Sequence, residues 1–297
     1  MVRQALPQPL VARLQGVVED LEAEYRPRLD IKMDQRLNLI DCISKSARLL
    51  ELLDYPTVLP KIWGLLGWNI QLYLAQCTVM PPTGTVENTP DRLSWHRDSG
   101  RVNQEMQDCG GNPRVSVKIG YILSDTTERT GFQVIPGTHL GHGVQDGHID
   151  LCDGSGEGWD LTRGDPPSKQ SLPLRAGDAV IFDRRVVHSQ PHNPLVGEGL
   201  RTALFYGYSY RWLRPRDEST ALEKYLDRSG PIRRQLLGAG PTGARGYTSP
   251  LPEDVPLRTY MEAHGFAEGL RDGDALRAFT AQDRTASAGR AATPARL

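Results

Sequence analysis

Near residue 69 the hydrophobic pattern of this 297-residue chain changes period. Before that point, Leu10, Val11, Leu14, Val17, Val18 and Leu21 recur at helical spacing, and residues 46–54 and 57–66 also read as helical. After it, residues 69–79 alternate apolar and polar side chains, as a half-buried strand does, until Pro81-Pro82-Thr83-Gly84 breaks the pattern. Further strand candidates lie at 114–123, 132–135, 172–175, 179–188 and 200–210. Gly110-Gly111-Asn112-Pro113, Pro136-Gly137, Ala176-Gly177-Asp178 and Asn193-Pro194 mark turns between them. Many short strands behind a helical front predict a mainly β fold, a sandwich or closed barrel, with helices packed on one side. No internal repeat is present.

This pattern divides residues 1–281 into a helical layer (about 1–68), a strand core (about 69–215) and a helix-and-loop segment (216–281), read together as a single domain. The small, polar stretch 282–297 reads as a disordered tail. Residues 82–94 and 138–171 carry Gly, Asp and Pro with little periodicity, which makes them candidate lids or binding loops.

Composition removes several function classes. Lys and Arg number 35 against 36 Asp and Glu, a net charge of −1. That balance argues against a binder of nucleic acid or anionic membrane working through bulk charge. No apolar run approaches the roughly 18 residues of a membrane span, and the first residues lack the apolar core of a secretory signal. Four cysteines, Cys42, Cys77, Cys109 and Cys152, lie far apart with no CxxC pair. Reduced thiols in a cytoplasmic protein fit this better than a zinc ribbon or a disulfide scaffold. Oligomeric state is not legible in these residues.

The residues that carry chemistry are Trp95-His96-Arg97-Asp98, then His188, then Arg201. On extended backbone His96 and Asp98 face the same side, so an imidazole and a carboxylate address one point. His188, at the end of its own apolar strand, supplies a third donor. Two His and one carboxylate on one face of a metal leave the other face open, the facial triad of non-haem Fe(II) oxygenases. Arg201 follows His188 across a turn, and its guanidinium suits a bidentate clamp on a carboxylate. An H-x-D pair alone is weak evidence, because it is mostly a hydrogen-bonded surface pair, and a lone His at a strand end is mostly structural. The signal sharpens because the elements fall in order: H-x-D, Gly-x-x-x-Ile-Pro-Gly-Thr-His at 131–139, Ala-Gly-Asp-Ala-Val-Ile-Phe-Asp at 176–183, His188 and Arg201.

From about residue 70 to 215 the chain resembles the phytanoyl-CoA dioxygenase family of Fe(II)/2-oxoglutarate oxygenases. A fainter likeness continues at 231–238 and 254–258. The resemblance implies a double-stranded β-helix, that is, a cupin-like jelly-roll barrel with helices on one side. It implies that His96, Asp98 and His188 hold Fe(II), that Arg201 binds the 2-oxoglutarate tail, and that O₂ is consumed. Retention of Asp98 implies oxygen chemistry rather than halogenation: hydroxylation of an unactivated C–H bond, or desaturation or ring closure.

Other positions carry two readings each. Gln76 and Lys118 are polar candidates for further cosubstrate contacts; Lys118 is equally a side chain reaching the surface. Gln190, two residues past the distal His, stands where some members have a hydroxyl, and Thr138 stands where Ser is commoner. Tyr73, Trp95, Gln133 and Trp212 are candidate substrate contacts, although strand aromatics are more often core. His139, His142 and His148 form a His-rich patch better read as solvated loop than as a second metal site. Arg97, Arg101, Arg114 and Arg184 face the pocket mouth or are ordinary surface charge. The substrate reading is a small or medium-sized natural product or amino-acid derivative. Competing readings are a metal-dependent cupin-type enzyme that does not use 2-oxoglutarate, and a metal-free jelly-roll binding module.

Overall fold

The helical front begins with α1 (Gln8–Arg28), which Pro7 and Pro9 open and Arg26 and Arg28 close, as the helix dipole favours. Its buried stripe is Leu10, Val11, Leu14, Val17, Val18 and Leu21, the spacing seen in the sequence. The computed structural model describes residues 1–82, 94–98, 100–108, 113–141, 144–145, 148–150, 158–191, 199–240 and 251–265. After α1 come β1 (Leu37–Ile40), two 3₁₀ turns (Cys42–Ser44 and Ala47–Leu52), α2 (Leu59–Leu66), β2 (Ile70–Met80), α3 (Gly100–Asp108), β3 (Ser116–Ile122) and β4 (Phe132–Val134). Then follow β5 (Val144–Gln145), β6 (His148–Asp150), β7 (Gly158–Asp160), β8 (Gln170–Leu172), β9 (Ala179–Asp183), β10 (His188–Ser189) and β11 (Arg201–Tyr210). Three short helices, α4 (Ala221–Tyr225), α5 (Pro231–Leu236) and α6 (Pro256–Ala263), complete the described chain.

The strands form a five-stranded sheet, β1-β2-β11-β3-β9, and a three-stranded sheet, β10-β4-β8. Every pairing is antiparallel. Period-two alternation gives the large sheet two apolar faces. Cys77, Val79, Ile119, Tyr121, Leu204 and Tyr206 pack against the helices. Leu74, Ile122, Val180, Phe182, Ala203 and Phe205 turn the other way, onto Phe132 and Val134 of the small sheet. The result is a helical layer, a large sheet and a small sheet, a jelly-roll whose two sheets stay separate rather than closing into one barrel among the described residues.

Two expectations change. Residues 179–188 do not run as one strand. The Asp183 carboxylate accepts the Arg185 backbone N–H (3.0 Å), and the Val186 N–H reaches the Asp183 carbonyl (3.0 Å). That turn ends β9 in the large sheet and sends β10 into the small one. The stretch 138–171 is not loop throughout: β5, β6 and β7 form their own antiparallel sheet, and β8 belongs to the small sheet. Strands of two or three residues amid glycines are too short to show alternation. The parts of the 82–94 and 138–171 segments not named above, the tail at 282–297 and His142 lie outside the described residues.

Candidate metal centre

His96 and His188 meet as an isolated antiparallel bridge. Each backbone N–H donates to the other's carbonyl at 3.0 Å, and the Asp98 N–H reaches the Arg184 carbonyl at 3.0 Å. These bonds zip the 94–98 segment onto the β9–β10 turn, so donors more than ninety positions apart share one site. Ligand atoms of His96, Asp98 and His188 all lie within 4.8 Å of one another. His188 Nε2 is 3.7 Å from Asp98 Oδ2. Among the described residues this is the one such group of His, Cys, Asp and Glu.

The protonation states suit a cation. His188 Nδ1 lies 2.9 Å from the Val186 carbonyl and His96 Nδ1 lies 3.0 Å from the Ser94 carbonyl. A carbonyl only accepts, so each Nδ1 carries the hydrogen and each Nε2 keeps its lone pair. Burial pushes His188 down to about 4, against the pull of Asp98, and keeps its ring neutral. Phe182 and Phe132 wall that ring, with centroids 4.9 and 5.3 Å away. Burial alone raises Asp98, but Lys118, His188 and His96 outweigh it and hold the carboxyl below its ordinary value. Lys118 Nζ stands 2.7 Å from Asp98 Oδ2 as a charge pair rather than an aligned hydrogen bond. Two imidazoles with Nδ1 held by backbone carbonyls and one buried carboxylate, their donor atoms within 4.8 Å of one another, fit a divalent transition metal.

Beside the triad opens a cavity of about 220 Å³, lined in part by Asp98, Lys118, Tyr73, Arg184 and Arg216. Lys118 is mostly buried, its side chain 12% exposed, and sits near the rings of Phe182 and Phe205. Arg201 opens β11 and is 6% exposed. It donates from Nη1 to the Thr130 carbonyl (2.6 Å) and from Nη2 to Met80 Sδ and the Pro191 carbonyl, which fixes the guanidinium plane. Arg201 and Gln190 line a second, narrow cleft together with Phe132. Phe132 therefore touches the imidazole of His188 and also lines the cleft that Arg201 lines.

Other sequence candidates fall elsewhere. Trp95 points opposite to His96, into a small cluster with Ile135, Ile149 and Val187, and its Nε1 donates to Asp165 (2.9 Å). Gln133 alternates away from its inward neighbours Phe132 and Val134, and its amide donates to Ser171 Oγ (2.8 Å). Trp212 is 43% exposed and stacks on Tyr210. In each case the strand period or a nearer partner turns the side chain from the site. Gln76 shares the inner face of β2 with Thr78, and its amide binds Asn38 and Thr78. Gln190 also accepts from Arg36 (2.8 Å). Arg97 donates to the carbonyls of Thr138 and Gly141, and Arg114 pairs with Asp183. Arg184 and Arg101 do reach the cavity, and Arg216, which the sequence reading did not single out, joins them. Arg216 carries no motif; only the chain's return past Tyr73 brings it there.

The geometry meets a family pattern. Residues 28–193, more than half of the chain, match the profile of the phytanoyl-CoA dioxygenase (PhyH) family. The chain belongs to that family. It is thus a dioxygenase-type enzyme of a group that works with iron and 2-oxoglutarate. The match begins well before the strand core and stops before Arg201. No curated protein sequence matches the chain.

The two HygX structures agree on the fold. HygX from Streptomyces hygroscopicus, with nickel and 2-oxoglutarate bound, is 14% identical and aligns over 72% of this chain and 83% of its own, with a TM-score of 0.52. The iron-bound form of HygX is 16% identical, covering 72% and 82%, with a TM-score of 0.52. The non-heme alpha ketoglutarate dependent carbocyclase SnoK from nogalamycin biosynthesis is 19% identical over 77% and 85%, with a TM-score of 0.48.

Proposed function

We propose that this PhyH-family chain hydroxylates an unactivated C–H bond of a small or medium-sized metabolite, a natural product or amino-acid derivative, with succinate and CO₂ as coproducts. The observation that carries the reading is the donor set: two imidazoles with Nε2 lone pairs and one ionised carboxylate, converging beside a cavity. His96, Asp98 and His188 hold the metal. Iron bound there together with 2-oxoglutarate supplies the power to activate O₂ and break a C–H bond. The remaining work belongs to the chain. Arg201 takes the far carboxylate of 2-oxoglutarate, reached past Phe132, with Gln190 beside it. Lys118 neutralises charge next to Asp98. Phe132 and Phe182 keep water from His188 and hold its ring neutral. Gln76 acts through Thr78 on the inner face of β2.

Residues 1–281 form one catalytic unit in this proposal, supported by the core that helices and sheet share as far as Met261. The partner is a small molecule rather than nucleic acid. No described helix is long and apolar enough to cross a membrane, and Cys42 and Cys77 are buried free thiols, which supports a cytoplasmic setting.

The test is succinate formation from 2-oxoglutarate with Fe(II) and ascorbate across a compound panel. His96→Ala and Asp98→Ala should each abolish turnover and Fe(II) uptake, with the circular-dichroism spectrum of the parent. Full activity in either variant removes that residue as a ligand. Product mass then separates hydroxylation, which adds one oxygen, from desaturation or ring closure, which removes two hydrogens.

A further inference from the structure

The cavity beside the triad is unusual in charge. Arg101, Lys118, Arg184 and Arg216 line it, against the single carboxylate of Asp98. Lys118 already stands against that carboxylate. Arg101 is an exposed residue paired with Glu105 at 2.8 Å, so it belongs to the rim. Arg184 is 2% exposed, and its Nη2 donates to the Pro113 carbonyl at 3.0 Å. Burying a guanidinium in a cavity wall is costly; the neighbouring Asp183 carboxylate offsets part of that cost, and an anionic occupant adds to the same attraction.

Arg216 is the most informative of the four. Its backbone N–H donates to the Tyr73 carbonyl (2.9 Å), and its Nε donates to Asp217 Oδ1 (2.8 Å). Asp217 is itself held, because its Oδ2 accepts the Ala75 backbone N–H on β2 (2.7 Å). Arg216 lines the cavity with 36% of its side chain exposed, so an occupant can reach its Nη groups. The Nη1/Nη2 edge of a guanidinium suits two parallel hydrogen bonds with a planar or tetrahedral oxyanion.

From this arrangement we infer that the substrate carries an anionic oxyacid group, a carboxylate or a phosphate monoester, which Arg216 and Arg184 grip while the reacting carbon lies toward Asp98. This deepens the proposed function and rests on it only for the reaction, not for the anion site. Asp217 is a positioning residue that holds Arg216.

The experiment is calorimetric titration of the full chain with benzoate, phenyl phosphate and the neutral isostere benzamide. It is run first on metal-free protein, then with Ni(II) and saturating 2-oxoglutarate. Benzoate, phenyl phosphate or both should bind at least about tenfold more tightly than benzamide, and which one does so identifies the oxyacid. Arg216→Gln should weaken that binding about tenfold, and Arg216→Lys less, because a point charge replaces a fork. Arg184→Gln serves as a second variant where it folds. Arg201→Ala should leave anion binding in place. Equal binding of benzamide, an anion Kd weaker than about 10 mM, no effect of Arg216→Gln, or loss of binding in Arg201→Ala each overturns the inference. The last outcome means that the probe occupies the cosubstrate cleft. Failure to take up Ni(II) and 2-oxoglutarate counts against the oxygenase reading instead, and the metal-free titration still reports on the anion site.

Discussion

His188 shows how one side chain is prepared for its task. A histidine in water is part-protonated near neutral pH, and a protonated ring binds no metal. Here Phe132, Phe182 and burial depress its proton affinity, while the Val186 carbonyl fixes the tautomer. Arg201 is prepared differently: three acceptors of the chain hold its guanidinium plane. Replacing Arg201 with Ala should raise KM for 2-oxoglutarate about 100-fold, the loss of a charge-assisted pair, with Fe(II) affinity kept. Arg201→Lys should fall between. Steady-state succinate assays with an equilibrium metal titration check both. An unchanged KM means that another residue holds the cosubstrate tail.

Elements in this fold are joined by groups that hydrophobic pattern does not display. Tyr121, Tyr206 and Tyr208 project from β3 and β11 into the helical layer. Their hydroxyls donate to the carbonyls of Leu52 (2.9 Å), Leu49 (2.8 Å) and Leu53 (2.7 Å). A short 3₁₀ turn leaves its last carbonyls without intrahelical partners; the phenols of Tyr121 and Tyr208 bond those of Leu52 and the following Leu53, and Tyr206 adds a bond to Leu49 inside the turn. Tyr208→Phe should cost about 1–2 kcal/mol in urea unfolding, one buried hydrogen bond with an orphaned acceptor. A change below a few tenths would mean that water replaces the phenol. Gly207, between two of these tyrosines, lies where β11 shifts register against β2, and a Cβ there would stand 2.8 Å from Leu74 Cγ. The strand candidates were legible because β2, β3 and β11 are long enough to alternate. The break between β9 and β10 was not, since it depends on Asp183 capturing Arg185 and Arg114.

Across the whole molecule, distant segments close on one another. The β9 edge of the large sheet is covered by the first residues of the chain, through the Val2–Ala179 bridge. Asp178 secures it: its carboxylate accepts the backbone N–H groups of Gln4 (2.9 Å) and Arg175 (3.0 Å), and Arg3 pairs with it. Burial raises its pKa, but these donors more than reverse that, so the folded value lies below the ordinary one. A carboxylate with a depressed folded pKa stabilises above the unfolded value, near 3.9 for Asp, and loses that contribution as pH falls through the folded value. Asp178→Asn should therefore lose about 1–2 kcal/mol at neutral pH. Its gap to the parent should narrow below about pH 4. Urea melts across pH check this, and a gap constant with pH would show that charge plays no part.

The amino-acid order by itself determined the helical front, the long strands and the residue types of a facial triad, because periodicity and side-chain chemistry are local properties. It could not decide which of those residues meet. Trp95 and Gln133 looked as eligible as Tyr73, and Arg216 carried no signal. Strand alternation turns Trp95 and Gln133 away, and the path of the chain past β2 brings Arg216 in. Only the folded backbone sets which face a side chain takes and which distant neighbour it finds, since a one-residue shift in register moves it to the other side of the sheet.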